Sequence, residues 1–158
     1  MAITAAPFTW YDKAPKNQSI PDLLTDDIKV ALCTSAYVPD AALHEFFDVS
    51  VTNELATANG YTAGGIALTT KTLEAGANPG EWEFHSDNPT WTASGAGLTA
   101  RLFVLYNNTP ASNKPLIGYG YLNYNSGTPQ DVTVSAGYDL SILIGASGWF
   151  YTQKVNGV

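Results

Sequence analysis

Cysteine is almost missing from this sequence: Cys33 stands alone, so no internal disulfide framework can exist. Two histidines, His44 and His85, are too few for a His-rich metal site. Charge is scarce as well, with Asp, Glu, Lys and Arg making up 13% of residues against roughly a quarter in ordinary soluble domains. Only 7 residues are Lys or Arg, and the formal net charge is −7. Such a chain cannot neutralise a phosphate backbone, which argues against nucleic acid as a partner. No apolar run approaches the roughly 20 residues that a membrane-spanning helix needs, so no membrane partner is expected. The opening MAITAAPFTWYDK has neither a basic leader nor a long apolar stretch, and no signal peptide is expected from it.

What the chain does have is apolar residues (45%) set among Thr, Ser, Asn and Gly. At 158 residues one domain is expected, large enough to bury a core without metal or disulfide. Residues 98–124, LTARLFVLYNNTPASNKPLIGYGYLNY, form its centre. Leu102, Val104 and Tyr106 alternate with Arg101, Phe103 and Leu105, a run apolar on both faces. Residues 107–115 carry turn chemistry throughout. The chain then returns with Ile117, Tyr119 and Tyr121 on one side, and with Gly118 and Gly120 where another backbone can approach closely. This predicts a long buried hairpin. Further strands are predicted at residues 28–34, 61–70, 81–85, 90–93, 131–134, 138–144 and 149–152. A helical turn is expected at 19–24, and a short helix from an Asp40 cap through 41–48, with Leu43, Phe46 and Phe47 as its apolar face. Strands spaced at roughly 8–12 residues with Gly, Pro and Asn between them predict an all-β fold. The expected architecture is an antiparallel β-sandwich, or a flattened barrel, with one or two short helices. Residues 1–20 read as an N-terminal arm or edge segment and 21–158 as a single β-sandwich domain.

No catalytic constellation is visible. His44 and Asp48 lie at i, i+4, but a zincin needs a second histidine where Asp48 stands. Glu81 and Glu83 share one face of a predicted strand, with Trp82 and Phe84 on the other; a solvated face explains them better than a glycosidase cleft. No serine sits in a nucleophile elbow, and no glycine-rich stretch opens a helix as a phosphate loop does. Cys33, inside the apolar run IKVALC, reads as a buried small hydrophobe. The expectation is no enzyme, no catalytic residue, no cofactor and no metal. Surface remains. Tyr11, Tyr37, Tyr119, Tyr121, Tyr124 and Tyr151, with four tryptophans, exceed the needs of a small core, and Tyr and Trp anchor interfaces.

Several stretches carry a family resemblance: DIKVAL at Asp27 to Leu32, Y-x-P-D…H-x-F at Tyr37 to Phe46, and GYTAGG at Gly60 to Gly65. With them go W-T-A at Trp91 to Ala93 and VLYNNTP…PLIG at Val104 to Gly118. Together they span most of residues 23–123 and resemble a family of small virion proteins of tailed bacteriophages. The resemblance implies a non-enzymatic virion structural protein, made in the host cytoplasm and lodged on the capsid surface. The role it points to is decoration or cement, bound to the major capsid protein between coat subunits and self-associated as a homotrimer. Phe8, Trp10 and Tyr11 of the arm and Tyr37 are the expected partner-binding residues. An arm that lies on a neighbour rather than on its own domain could be deleted before Ile20 without unfolding the rest. The alternative is a receptor- or glycan-binding module of a tail or head fibre, with Trp82, Trp91 or Trp149 as an aromatic platform.

Overall fold

The computed structural model describes residues 2–4, 8–125 and 127–152; residues 1 and 5–7 of the expected arm lie outside the described residues. The chain begins with β1 (Ala2–Thr4), β2 (Thr9–Trp10), α1 (Ala14–Asn17), α2 (Asp22–Thr25) and β3 (Ile28–Cys33). It continues through α3 (Phe47–Ser50), β4 (Ile66–Ala67), β5 (Thr72–Ala75), β6 (Trp82–His85), β7 (Thr90–Thr92) and β8 (Leu98–Ala100). The rest is β9 (Leu102–Asn107), β10 (Leu116–Tyr121), β11 (Asn123–Asn125), β12 (Thr128–Gln130), β13 (Val132–Val134), β14 (Asp139–Leu143) and β15 (Phe150–Thr152). The result is a mostly antiparallel β fold with a few short helices. A parallel pairing of β1 with β14 breaks the antiparallel pattern.

The central sheet has the order β2-β10-β9-β3-β4 and is antiparallel throughout. Its inner strands are apolar on both sides because both sheet faces are covered. Val30 and Leu32 of β3, Phe103 and Leu105 of β9 and Ile117 of β10 face one core, shared with Phe84, Trp91, Leu140 and Trp149. Ala31, Cys33, Leu102, Val104 and Tyr106 face a second core, closed by Tyr11, Ala14, Tyr37 and Phe47. All six residues of β9 are buried, which explains the unbroken apolar run seen in the sequence. Cys33 is fully buried, and burial pushes its thiol well up, so it packs as a small hydrophobe.

The predicted hairpin is present as β9–β10, with a bulge between Leu116 and Gly118. Gly118 has its predicted use: a Cβ there would sit 2.1 Å from Phe8 Cζ and 2.7 Å from Thr9 O. The run 98–106 is not one strand, however. At Arg101 the chain changes sheets, so β8 pairs with β13 while β9 joins the central sheet. Arg101 N donates to Cys33 O at 2.9 Å, and Arg101 O accepts from Leu122 N at 3.0 Å, so both hairpin strands bend at the same level.

Two local readings are overridden by tertiary contacts. The helix expected over 41–48 is a turn followed by α3. Asp40 does act as a cap, its Oδ1 accepting from Ala42 N and Leu43 N at 3.0 Å each. The helix fails because residues 45–47 extend along the hairpin: Leu116 N donates to Glu45 O at 3.0 Å and Phe47 N to Lys114 O at 2.7 Å. That leaves Leu43 in solvent and brings Phe47 onto Tyr106, ring centroids 3.8 Å apart.

The strand expected over 61–70 shrinks to Ile66–Ala67, because residues 54–65 are pinned to β3 and β9 as a loop. Tyr61 Oη donates to Glu54 Oε1 at 2.6 Å and accepts from Leu32 N at 3.1 Å. Gly64 N also donates to Glu54 Oε1, and Tyr106 Oη donates to Gly64 O at 2.7 Å. Tyr61→Phe strips the buried Leu32 N–H of its Tyr61 acceptor and the Glu54 carboxylate of one of its two donors. A loss of about 1–3 kcal/mol is expected, read as a lower urea midpoint with an unchanged m-value.

Candidate interaction surface

The arm aromatics turn inward. Phe8 and Trp10 are half-buried and cluster with Phe150, at ring-centroid distances of 5.4 and 4.3 Å. Strand β2 is an edge of its own central sheet, paired to β10 at Gly118 and Tyr119. Tyr11 and Tyr37 are buried, at 0% and 4% exposure, and their hydroxyls meet at 2.8 Å. Tyr37 Oη also lies 3.0 Å from His44 Nδ1, which accepts from Asp40 N at 3.3 Å. Burial pushes the Tyr11 hydroxyl far up and that of Tyr37 to about 12, so both stay neutral and hydrogen-bonded. As folded, Tyr11 and Tyr37 have no surface to offer a partner; they seal the second core. Exposure cannot be inferred from a tyrosine count, because the segment that covers a sheet face has the same composition as one that lies on a neighbour.

The expected tryptophan platform is also not assembled. Trp91 and Trp149 are buried at 3% and 6%, and only Trp82 stands out to solvent. Trp149 Nε1 donates to Ser86 Oγ at 2.9 Å, fixing it in the core. Glu81 departs from the solvated-face reading: it is buried, and its carboxylate accepts from Asn78 N and Nδ2 at 3.1 and 2.6 Å. Glu83 lies 3.2 Å from His85 Nε2. Among the described residues no group of three or more His, Cys, Asp or Glu could hold a metal ion, and no helix is long and apolar enough to cross a membrane. A cleft of about 390 Å³ between residues 55–59 and 96–99 holds no acid, base or metal-ligating side chain.

Two surfaces remain. The first is the segment over the second core, where Val38, Leu43 and Val49 are each about 70% exposed. Its position is held from below by charge. Asn17 Nδ2 and Lys16 Nζ donate to Glu45 Oε1 at 3.0 and 3.1 Å, and Lys13 Nζ lies 3.3 Å from Oε2. These donors pull the Glu45 carboxyl down to about 2 from an ordinary 4.5. Asp48 is opposed by partial burial but accepts from Lys114 N and Asn113 N at 3.0 and 2.9 Å, and the net shift is also downward. Both groups are depressed on folding. Their stabilisation is therefore present above the ordinary carboxylate range and is lost as pH falls through the folded values. Melting temperature is expected to fall between about pH 4.5 and 2, and Glu45→Gln is expected to flatten that slope.

The second surface is a row of tyrosines. Tyr119 and Tyr121 project from the same side of β10, and beyond the bend at Leu122 comes Tyr124. The ring centroids of Tyr119 and Tyr121 are 6.1 Å apart, and those of Tyr121 and Tyr124 are 5.8 Å apart. Tyr119 is braced from within by Tyr11 at 5.3 Å. Beside the row, Arg101 Nε donates to Asp131 Oδ1 at 2.6 Å. The side chain of Tyr151 lies outside the described residues. The signal for this row was present in the sequence, as alternating tyrosines on one hairpin strand, but nothing local distinguished them from the tyrosines that seal the core.

Comparison with known proteins returned no matching family model, no matching curated protein and no matching solved structure.

Proposed function

We propose that this protein is a non-enzymatic structural component of a phage virion, binding the outer capsid surface between coat subunits as decoration or cement. The observation that carries the reading is the set of large apolar side chains left in solvent on residues 38–49, a turn-rich segment that ends in α3: Val38, Leu43 and Val49. They ride on a scaffold whose two sheet faces are both filled by its own chain. Exposed apolar groups on a rigid, well-packed module suit docking to a partner better than they suit chemistry. In this reading the central sheet and the strands packed on its first core are the two layers of a β-sandwich. A homotrimer would present the segment three times, and multivalent attachment would turn weak contacts into lasting ones. The resemblance of residues 23–123 to virion proteins of tailed phages supports the same assignment.

The test uses purified capsids lacking the protein. The full-length chain is expected to saturate them at a copy number comparable to that of the major capsid protein, measured by quantitative mass spectrometry. Val38→Asp with Leu43→Asp should abolish binding while the melting temperature stays near that of the parent, because both side chains are already in water. Undiminished binding by that variant, or a stoichiometry of only a few copies, would overturn the proposal.

A further inference from the structure

The four buried tyrosines and the three in the row differ in one respect. Tyr11, Tyr37, Tyr61 and Tyr106 each spend their hydroxyl on a specific structural hydrogen bond. Among the described residues, the contacts of Tyr119, Tyr121 and Tyr124 are ring contacts, and their hydroxyls take no hydrogen bond there. Tyr119 and Tyr121 are half-buried at the open end of the second core, and Tyr124 is 51% exposed. Arg101 and Asp131 neutralise each other beside Tyr121, leaving further guanidinium N–H groups and carboxylate lone pairs for a ligand.

From this arrangement we infer that the tyrosine row and the adjoining Arg101–Asp131 pair form a binding platform for a neutral polysaccharide. Sugar rings have an apolar face, which packs on aromatic carbon, and a rim of hydroxyls, which needs donors and acceptors together. Tyr121 and Tyr124, 5.8 Å apart with ring planes 31° from each other, supply the apolar faces, Tyr119 closes the row edge-on at 85° to Tyr121, and the hydroxyls with Arg101 and Asp131 supply donors and acceptors. Its charge also selects. The local ion pair is self-compensated and the chain carries a net charge of −7, so acidic polymers are repelled and a neutral chain is favoured. Bound oligosaccharide would lie along the line from Tyr119 to Tyr124. The platform shares no residue with Val38, Leu43 and Val49, so it and the capsid reading can fail independently.

The experiment titrates the full-length protein with cellohexaose and chitohexaose, with an oligogalacturonate as the acidic control, followed by calorimetry and by backbone chemical shifts. At least one neutral oligomer is expected to bind, with shifts concentrated at residues 119–124 and near Arg101, and the acidic control is expected not to. Tyr121→Ala and Tyr124→Ala should each weaken binding about tenfold or more. Tyr138→Ala, which removes an exposed tyrosine outside the row, should leave it unchanged. Tyr121→Phe and Arg101→Gln give milder losses and guard against a folding defect in the alanine variants. Absence of binding by both neutral oligomers at millimolar concentration would overturn the inference. So would equal binding by the Tyr121 and Tyr124 variants, or a preference for the acidic oligomer.

Discussion

Tyr11→Ala is expected to cost about 3–5 kcal/mol of folding stability, and a chain starting at Ile20 is expected not to fold cooperatively. Tyr11 is fully buried, its ring packs on Tyr119 and its hydroxyl meets Tyr37. The segment around it is stitched to the domain through the backbone. Tyr11 N donates to Ile117 O at 3.2 Å and Asp12 N to Ala41 O at 2.9 Å. Farther on, Gln18 Oε1 accepts from the buried Asn107 Nδ2 at 2.7 Å. Removing residues 1–19 would take Tyr11 and Ala14 out of the second core and open part of the sheet face that carries Ala31, Cys33, Leu102 and Val104. This reverses the expectation that the arm could be deleted without unfolding the rest. Tyr11→Phe keeps the ring and loses only the hydroxyl; since Tyr37 retains His44, about 1 kcal/mol is expected. Urea titrations followed by near-ultraviolet circular dichroism measure all three. A truncated chain with the parent's midpoint would show that the second face does not need its cover. The same result governs capsid tests: loss of binding on truncation would report unfolding, whereas Val38 and Leu43 report contact.

Gly65→Ala should be the most damaging glycine substitution, costing about 3 kcal/mol or more. Two separate penalties coincide there. The backbone has φ of +69°, in the left-handed region, which an alanine enters at about 1–2 kcal/mol. A Cβ would also fall 1.9 Å from Val30 O and 2.8 Å from Ala31 Cα. Those atoms belong to β3, held on both sides by β9 and β4, so they cannot retreat without breaking the ladder. Two other glycines separate the terms. Gly137 has φ of +85° with nothing within 4 Å, so Gly137→Ala should show the backbone cost alone. Gly145 has open space and no positive φ, and Gly145→Ala is expected to fall within about 0.5 kcal/mol of the parent. Thermal melts of the three variants should therefore rank 65, 137, 145. Equal melting temperatures for Gly65→Ala and Gly137→Ala would mean that the loop and β3 do not meet as described.

The GYTAGG stretch shows why some elements were misread. Most of it falls in residues 61–70, which read as a strand. The deciding contacts come from nearby Glu54 and from Leu32 and Tyr106, both distant in sequence, and they hold the segment as a loop. In the same way Asp40 carried a correct capping signal, yet the helix it announced gives way to an extended stretch that bonds to residues 114–116. In both cases tertiary hydrogen bonds, through side chains in the first and backbone in the second, outweigh a local preference of a few tenths of a kcal/mol per residue.

What the sequence by itself determined is the position of β3, β9, β10, β13 and β14, the turn at 107–115 and the close approach at Gly118. Each of these rests on alternation, apolar runs or missing side chains, which are local properties of the chain. Only the tertiary structure decided which aromatics are inside. Phe8, Trp10, Tyr11 and Tyr37 look like contact residues in sequence and pack on their own domain, while Tyr119, Tyr121 and Tyr124, surplus aromatics of the same kind in sequence, have hydroxyls with no hydrogen bond among the described residues. The physical reason is that burial belongs to a pair of surfaces. A ring is buried only where another segment has enough backbone hydrogen bonds to stay over it, and residues 11–18 and 34–51 cover one part of the sheet face and stop short of the other.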